Sequence, residues 1–343
     1  MEINQRVPEL IINWYLRNKR DLPWRENKDP YAVWISEIML QQTRAETVKP
    51  YYKRFLAELP TVWELAAADE EQLNKLWEGL GYYSRVRNLR KAAEVVVREY
   101  GGIFPQEYEQ ILKLPGIGPY TAGAIASICF DVPVPAVDGN VLRVVARIEE
   151  IADDVSAPAM KTEIREALAR IYPKSNCGDF TQGLMELGAM LCVPKNKPKC
   201  EECPVGDICK AFQNGTVHEI PLKNPAKPRK HEEITVLILG CNGKLAIRKR
   251  DETGLLAGLW EYPNCAGWLT PKQALLLAAD WGAVPKDMMK SSEKTHIFTH
   301  IEWHMRFYLI ACDEQPPPFL WVSKQELQEK YAIPAAFQFP DFL

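Results

Sequence analysis

Four cysteines crowd into eighteen residues: Cys192, Cys200, Cys203 and Cys209, with gaps of seven, two and five. Thiolates so spaced, in a loop tightened by Pro194, Pro198 and Pro204, can converge on one metal centre. Four unrelated buried thiols are the plain alternative, and structural zinc is the more serious one. A single Cys-x-x-Cys pair with two outliers does not match the paired knuckles of zinc ribbons, so the spacing favours an iron–sulfur cluster. Lys195, Lys197 and Lys199 sit in the same loop, where they either meet phosphates or solvate a surface.

Two carboxylates offer a second kind of chemistry. The helical neighbours of Glu37 are Val33, Trp34, Leu40 and Gln41, mostly apolar, which should raise its pKa and keep it protonated near neutrality. Asp138, in Ala136-Val137-Asp138-Gly139-Asn140-Val141, stands where a helix begins, and the free N–H groups there should keep it ionised. A protonated acid beside an ionised carboxylate is what acid/base work requires. A bare helix cap and a solvated helix glutamate are the plain alternatives. Twenty residues before Asp138, Leu114-Pro115-Gly116-Ile117-Gly118-Pro119-Tyr120-Thr121-Ala122 joins two helices through a Gly-x-Gly turn. Glycines at Gly116 and Gly118 should allow positive φ and bring bare N–H groups up to a phosphate, although such a turn alone is weak evidence.

Around these residues the chain reads as two textures. From Pro8 to about Ile220 apolar residues recur at three- and four-residue spacing, helix after helix. Residues 223–230 are proline- and lysine-rich and read as a linker. Beyond it Ile234 to Leu239, Leu245 to Arg248 and Met305 to Ile310 are β-rich, with a helix expected from Pro271 to Trp281. The expected fold class is therefore multidomain, all-α followed by α+β. Its 343 residues carry 42 basic and 45 acidic side chains, a net charge of −3, which excludes a polybasic DNA-coating protein. No aliphatic stretch approaches the roughly 20 residues that span a bilayer. Nine cysteines, an odd number, do not read as a disulfide framework, and Cys129, Cys177, Cys241, Cys265 and Cys312 read as small buried apolar residues. A cytoplasmic, nucleoid-associated monomer is expected.

Together Leu114–Ala122, Val137–Val144, the four cysteines, Leu22-Pro23-Trp24-Arg25 and Ser36 to Thr43 resemble the helix-hairpin-helix DNA glycosylases of the endonuclease III superfamily, and within it the MutY adenine glycosylases, over essentially the whole chain. The resemblance implies an iron–sulfur cluster domain over 1–21 and 133–221, a six-helix domain with the hairpin over 22–132, a linker over 222–232, and a Nudix-like lesion-recognition domain over 233–343. It implies a [4Fe-4S] cluster on the four cysteines, no nucleotide cofactor, and a monovalent cation as an optional ligand of the hairpin. Where related lyases carry a Schiff-base lysine this chain has Tyr120, which cannot form an imine and so points to a monofunctional enzyme. By the same resemblance Glu37 protonates the leaving adenine, and Asp138 stabilises or captures the sugar with Tyr120 and Asn140 beside it. Trp24, Arg25, Leu40, Gln182 and Met185 match adenine-pocket positions. Gln42, Leu80, Tyr82, Gly116 and Gly118 match DNA-contacting ones.

In the C-terminal domain Gly254 to Pro263 looks like the entry to a Nudix fold, yet the acidic cluster that would hold Mg²⁺ is missing from Gln273 to Asp280, so the domain should recognise and not hydrolyse. His296-Ile297-Phe298-Thr299-His300 resembles the loop with which such domains read 8-oxoguanine, with Phe298, Thr299 and His300 as contacts. Two departures are Thr299, where serine is common, and a gap before Cys200 one residue longer than usual. The expected partner is double-stranded DNA with an A:8-oxoguanine or A:G mispair, and no membrane. A thymine-mismatch glycosylase of the same superfamily and a non-catalytic, metal-stapled DNA sensor are the alternatives; Glu37 and the C-terminal domain weigh against the first, the paired carboxylates against the second.

Overall fold

Proline in the first turn starts several helices here, because its missing N–H is one a helix would not have used. The computed structural model describes all residues except 195–196, 223–227 and 339–343; the linker expectation and Lys195 fall in part outside the described residues. The helices are α1 (Val7–Asn18), α2 (Pro30–Leu40), α3 (Ala45–Glu58), α4 (Val62–Ala67), α5 (Glu70–Leu76), α6 (Ser84–Tyr100), α7 (Tyr108–Leu112), α8 (Pro119–Phe130), α9 (Gly139–Glu149), α10 (Pro158–Ile171), α11 (Cys177–Met190), α12 (Lys210–Gln213), α13 (Pro271–Asp280) and α14 (Lys324–Glu329). The strands are β1 (Lys230–Cys241), β2 (Lys244–Lys249), β3 (Trp260–Glu261), β4 (Asn264–Ala266), β5 (Pro285–Ile297), β6 (Ile301–Cys312) and β7 (Leu320–Ser323). Among the described residues no helix is long and apolar enough to cross a membrane.

The chain divides into two units, Met1–Ala68 with Asn88–Pro225, and Asp69–Arg87 with Ala226–Leu343. In the first, α2 and α8 are apolar nearly all round, so both are buried: α2 hides Tyr31 through Met39, and α8 hides Thr121 through Ile128. Val33 on α2 meets Ala124 and Ile128 on α8 together with Ala136, and Tyr120, Cys129 and Met185 pack around them. A larger core joins α1, α9, α10 and α11 and reaches the cysteine loop through Val205, Cys209 and Ala211. Burial of Cys177, Cys241 and Cys312 matches the reading of the scattered cysteines, while Cys129 and Cys265 are only half-buried.

In the second unit the sheet order is β3-β2-β1-β6-β5, with β4 beside β1 and β7 beside β2. The central pair β1 and β6 is parallel, from Lys230 opposite Ile301 to Gly240 opposite Ala311. Both faces of β1 are covered: Val236 and Ile238 pack with Trp303, Phe307 and Phe337, whereas Leu237 and Leu239 pack with Ala274 and Ala278 of α13. That double burial is why residues 234–239 form an unbroken apolar run. The long edge strand β5 has no such run. It is mostly polar and largely exposed, as an edge strand protected from further pairing should be.

Candidate active site

Glu37 lies in the middle of α2, 5% exposed. Burial pushes its carboxyl up to about 7; the negative charge of Asp138 pushes the same way, while a hydrogen bond from Tyr120 and the charge of Arg25 oppose. The Tyr120 hydroxyl donates to Glu37 Oε2 at 2.5 Å and lies 3.9 Å from Met185 Sδ. Tyr120 itself is held far above a normal phenol, first by its own burial and then by Glu37 and Asp138, so it stays a neutral donor. Burial is the cause the apolar neighbours of Glu37 suggest in the sequence.

Asp138 caps α9. Its Oδ1 accepts the Val141 N–H at 2.7 Å and its Oδ2 accepts Asn140 Nδ2 at 2.7 Å. Here one expectation needs correcting. Burial raises the Asp138 pKa, and the cap hydrogen bonds from Val141 and Asn140 with the Arg143 charge lower it without fully cancelling. The two carboxyls are thus shifted in the same direction, with the cap hydrogen bonds and the Arg143 charge opposing the rise at Asp138.

Arg143 was not foreseen from sequence. Its guanidinium donates to Asn140 Oδ1 (2.9 Å), to the Gly188 carbonyl (2.8 Å) and to the Cys192 carbonyl (2.7 Å), which fixes the Asn140 amide in the orientation that bonds Asp138. Gly188 must be glycine for this approach, since a Cβ there would lie 2.6 Å from Asn140 Cβ. One turn on, Arg147 donates to Cys192 Sγ at 3.2 Å and to the Val193 and Ile220 carbonyls.

The expected adenine-pocket residues divide. Met185 joins Glu37 and Tyr120, and Trp24 is buried edge-on against Tyr52. Leu40 and Gln182 are half-buried. The Arg25 fork is already engaged: with Arg20 it clamps Glu186, which is 1% exposed, through contacts of 2.8 to 3.0 Å. Burial alone would push Glu186 up, but the hydrogen bonds from Arg20 and Arg25 bring it down to about 2. Arg25 Nε is buried without a hydrogen-bond partner among the described residues.

At the hairpin, Gly116 has φ 74°, and a Cβ there would lie 2.5 Å from Asn88, so glycine is required twice over. Gly118 corrects the expectation of positive φ at both glycines. It is the N-cap of α8 at φ −97°, with open space where a Cβ would stand. No side chain caps the start of α8, the end at which a helix can bind phosphate. At the C-terminal end of α2, Gln41 Nε2 lies 3.4 Å from Thr121 Oγ1 of α8, and Gln42 has φ 61°.

In the second unit Phe298, Thr299 and His300 form the turn between β5 and β6, closed by the Phe298 N–H on the Ile301 carbonyl. Phe298 is held edge-on between His296 and Trp303. Tyr82, half exposed and at φ 48°, places its hydroxyl 2.8 Å from Thr299 Oγ1. Two segments singled out separately in the sequence thus meet at a hydroxyl pair. The Leu80 side chain is buried, 6% exposed, and its carbonyl accepts from Arg85. The buried carboxylate of β3, Glu261, is neutralised by Arg248 and Arg250, so it is not free to hold a cation.

The cysteine loop closes on one cavity. Cys192, Cys200, Cys203 and Cys209 line it with Val144, Leu187 and Phe212. Burial pushes the Cys203 thiol up to about 12, with the other three cysteines adding to the shift. Four thiols lining one mostly apolar cavity are a donor set that suits a cationic centre, and the Arg147 N–H on Cys192 Sγ suits a thiolate there.

Residues 35–173 match the HhH-GPD superfamily base excision DNA repair protein family, and residues 234–338 match the NUDIX domain. Adenine DNA glycosylases of Mus musculus and Homo sapiens are each 35% identical to this chain over 92% of its length, and over 73% and 70% of theirs. That of Buchnera aphidicola subsp. Acyrthosiphon pisum is 34% identical over 88% of this chain and 85% of its own. A thermostable thymine-DNA glycosylase structure aligns at TM-score 0.55 and 30% identity, covering 61% of this chain and 97% of that one. A trapped endonuclease III–DNA covalent intermediate aligns at TM-score 0.52 and 23% identity, over 62% and 99%, a likeness of fold.

Proposed function

The chain belongs to the adenine DNA glycosylases of the HhH-GPD base excision repair superfamily, and from that premise we propose that it hydrolyses the N-glycosidic bond of adenine paired with 8-oxoguanine or guanine, leaving an abasic site. The observation that carries this reading is Glu37, buried, poised at about 7 and gripped by Tyr120. Purine departure needs a proton on the base, and a carboxyl half-protonated near neutrality can deliver it and afterwards help activate water, a contribution of about 10²–10⁴-fold. Asp138, aligned by Val141 and Asn140, supplies the negative charge that an oxocarbenium-like sugar requires. Tyr120 offers no amine, so no imine step is open to it and the strand is left uncut.

Extruding the adenine costs a few kcal/mol. Stacking on Tyr82, worth roughly 1–3 kcal/mol, offsets part of that cost. The turn Phe298–His300 presents a hydroxyl and an imidazole suited to reading the edge of 8-oxoguanine. The four cysteines suit a [4Fe-4S] cluster, which when bound would tie the end of α11, next to Cys192, to the start of α12, capped by Cys209. Arg143 and Arg147 anchor the backbone around Cys192, and Arg143, through Asn140, keeps Asp138 in place.

Single-turnover excision from an A:8-oxoguanine duplex tests the reading, followed by alkali to reveal abasic sites. Glu37→Gln should bind that duplex with parental affinity and release no adenine. Strand scission without alkali, or loss of binding in the variant, would overturn the assignment.

A further inference from the structure

On the β1–β6 pair, His231 stands opposite Glu302, and His304 follows two residues after Glu302, so all three share one sheet face. His231 Nδ1 lies 3.3 Å from His304 Nε2, and His304 Nε2 lies 3.1 Å from Glu302 Oε1. The three donor atoms all fall within 4.8 Å of one another. We propose that His231, Glu302 and His304 form a binding site for a divalent first-row transition metal of the zinc class.

The spacing supports this directly. Four-coordinate zinc binds nitrogen and oxygen at about 2.0–2.2 Å, and tetrahedral angles then place adjacent ligand atoms roughly 3.3 Å apart. Both measured separations match that edge. Two imidazoles and one carboxylate suit zinc, nickel or copper and not magnesium or calcium, which prefer all-oxygen sets. Three protein ligands leave one position for water. The donors ride on adjacent strands, not on loops, and the imidazole rings lie 5.4 Å apart at 19°, so little ordering is needed for binding. Both histidines line an open cleft with Trp268 and Arg250, and His231 is exposed, so an ion has a path in. Trp268 Nε1 donates to the His304 carbonyl at 3.1 Å, a support that steadies the ligand strand.

The site adjoins the turn discussed above, since the Lys230 N–H, one residue before His231, donates to the His300 carbonyl. A bound metal would therefore clamp the start of β1 to β6 at the base of that turn. The inference does not depend on the glycosylase reading.

Zn²⁺ titration calorimetry on the purified full-length protein, with the cysteine centre loaded, tests it. Relative to parent, His304→Ala and His231→Ala should each lose one equivalent of Zn²⁺ binding, and Glu302→Gln should weaken that equivalent about tenfold or more. Saturating Zn²⁺ should raise the melting temperature of the parent and leave that of the His231→Ala/His304→Ala double variant unmoved. His304→Gln, close in size, guards against a folding defect and should behave as His304→Ala does. Equal Zn²⁺ stoichiometry in parent and double variant, or a loss in His304→Ala that His231→Ala does not share, would overturn the proposal.

Discussion

Tyr120→Phe isolates the control of the catalytic proton. Glu37 must be protonated to act as the acid, and with its pKa at about 7 the excision rate should be flat below that pH and fall about tenfold for each pH unit well above it. Tyr120 donates a 2.5 Å hydrogen bond that favours the carboxylate form. Its removal leaves burial and Asp138, both raising the pKa, so the falling limb should move to higher pH even if the plateau rate drops. A shift of one unit would correspond to about 1.4 kcal/mol of lost preference for the carboxylate, close to the lower end of what a charged hydrogen bond is worth. Stability carries the same signature. Because the folded pKa is raised from 4.5 to about 7, protonation of Glu37 favours the fold below pH 4.5, and that advantage is lost as pH rises through 7. By pH 8 the buried carboxylate costs about 3 kcal/mol, so Glu37→Gln should be more stable than the parent at pH 8 by up to about that amount. The assay is single-turnover excision from pH 5.5 to 9 on both proteins, with urea melts of Glu37→Gln alongside. A limb that stays in place in Tyr120→Phe, or moves to lower pH, would refute the reasoning.

Asp138→Asn should abolish excision in single-turnover assays while α9 still forms, since asparagine also caps helices; near-parental rates would remove Asp138 from the chemistry. Glu186→Ala strands Arg20 and the buried Arg25, and urea unfolding should show a loss of about 3 kcal/mol. Cys200→Ser should lower the iron and acid-labile sulfide content of the purified protein, whereas zinc without iron in the parent would contradict the cluster. Thr299→Ala with His300→Ala should reduce the preference for 8-oxoguanine over guanine opposite adenine, and unchanged selectivity would move lesion reading elsewhere.

What could be read locally in the sequence was read well. The apolar neighbours of Glu37, the cap position of Asp138 and the unbroken run from Ile234 to Leu239 each carry their signal within a few residues. The pairings that are not legible in the sequence act over long separations. Arg143 reaches Cys192 across 49 positions, Arg20 reaches Glu186 across 166, and Tyr82 reaches Thr299 across 217. No pattern in the sequence announces such pairs. β5 escaped because an edge strand carries no apolar run. Gly118 was misjudged because a glycine can be chosen for open space at a helix start as well as for positive φ. The upward push on Asp138 is not legible locally because it comes from burial, which outweighs the neighbouring cap hydrogen bonds.

The central claim is that this chain removes adenine, chosen by what stands opposite. Its most direct test is single-turnover excision on a matrix of duplexes that vary both the target base and its partner. Release of adenine opposite 8-oxoguanine and, more slowly, opposite guanine, with thymine left intact in every duplex, is the predicted result. Release of thymine from a mismatch, or adenine release indifferent to the opposite base, would contradict it.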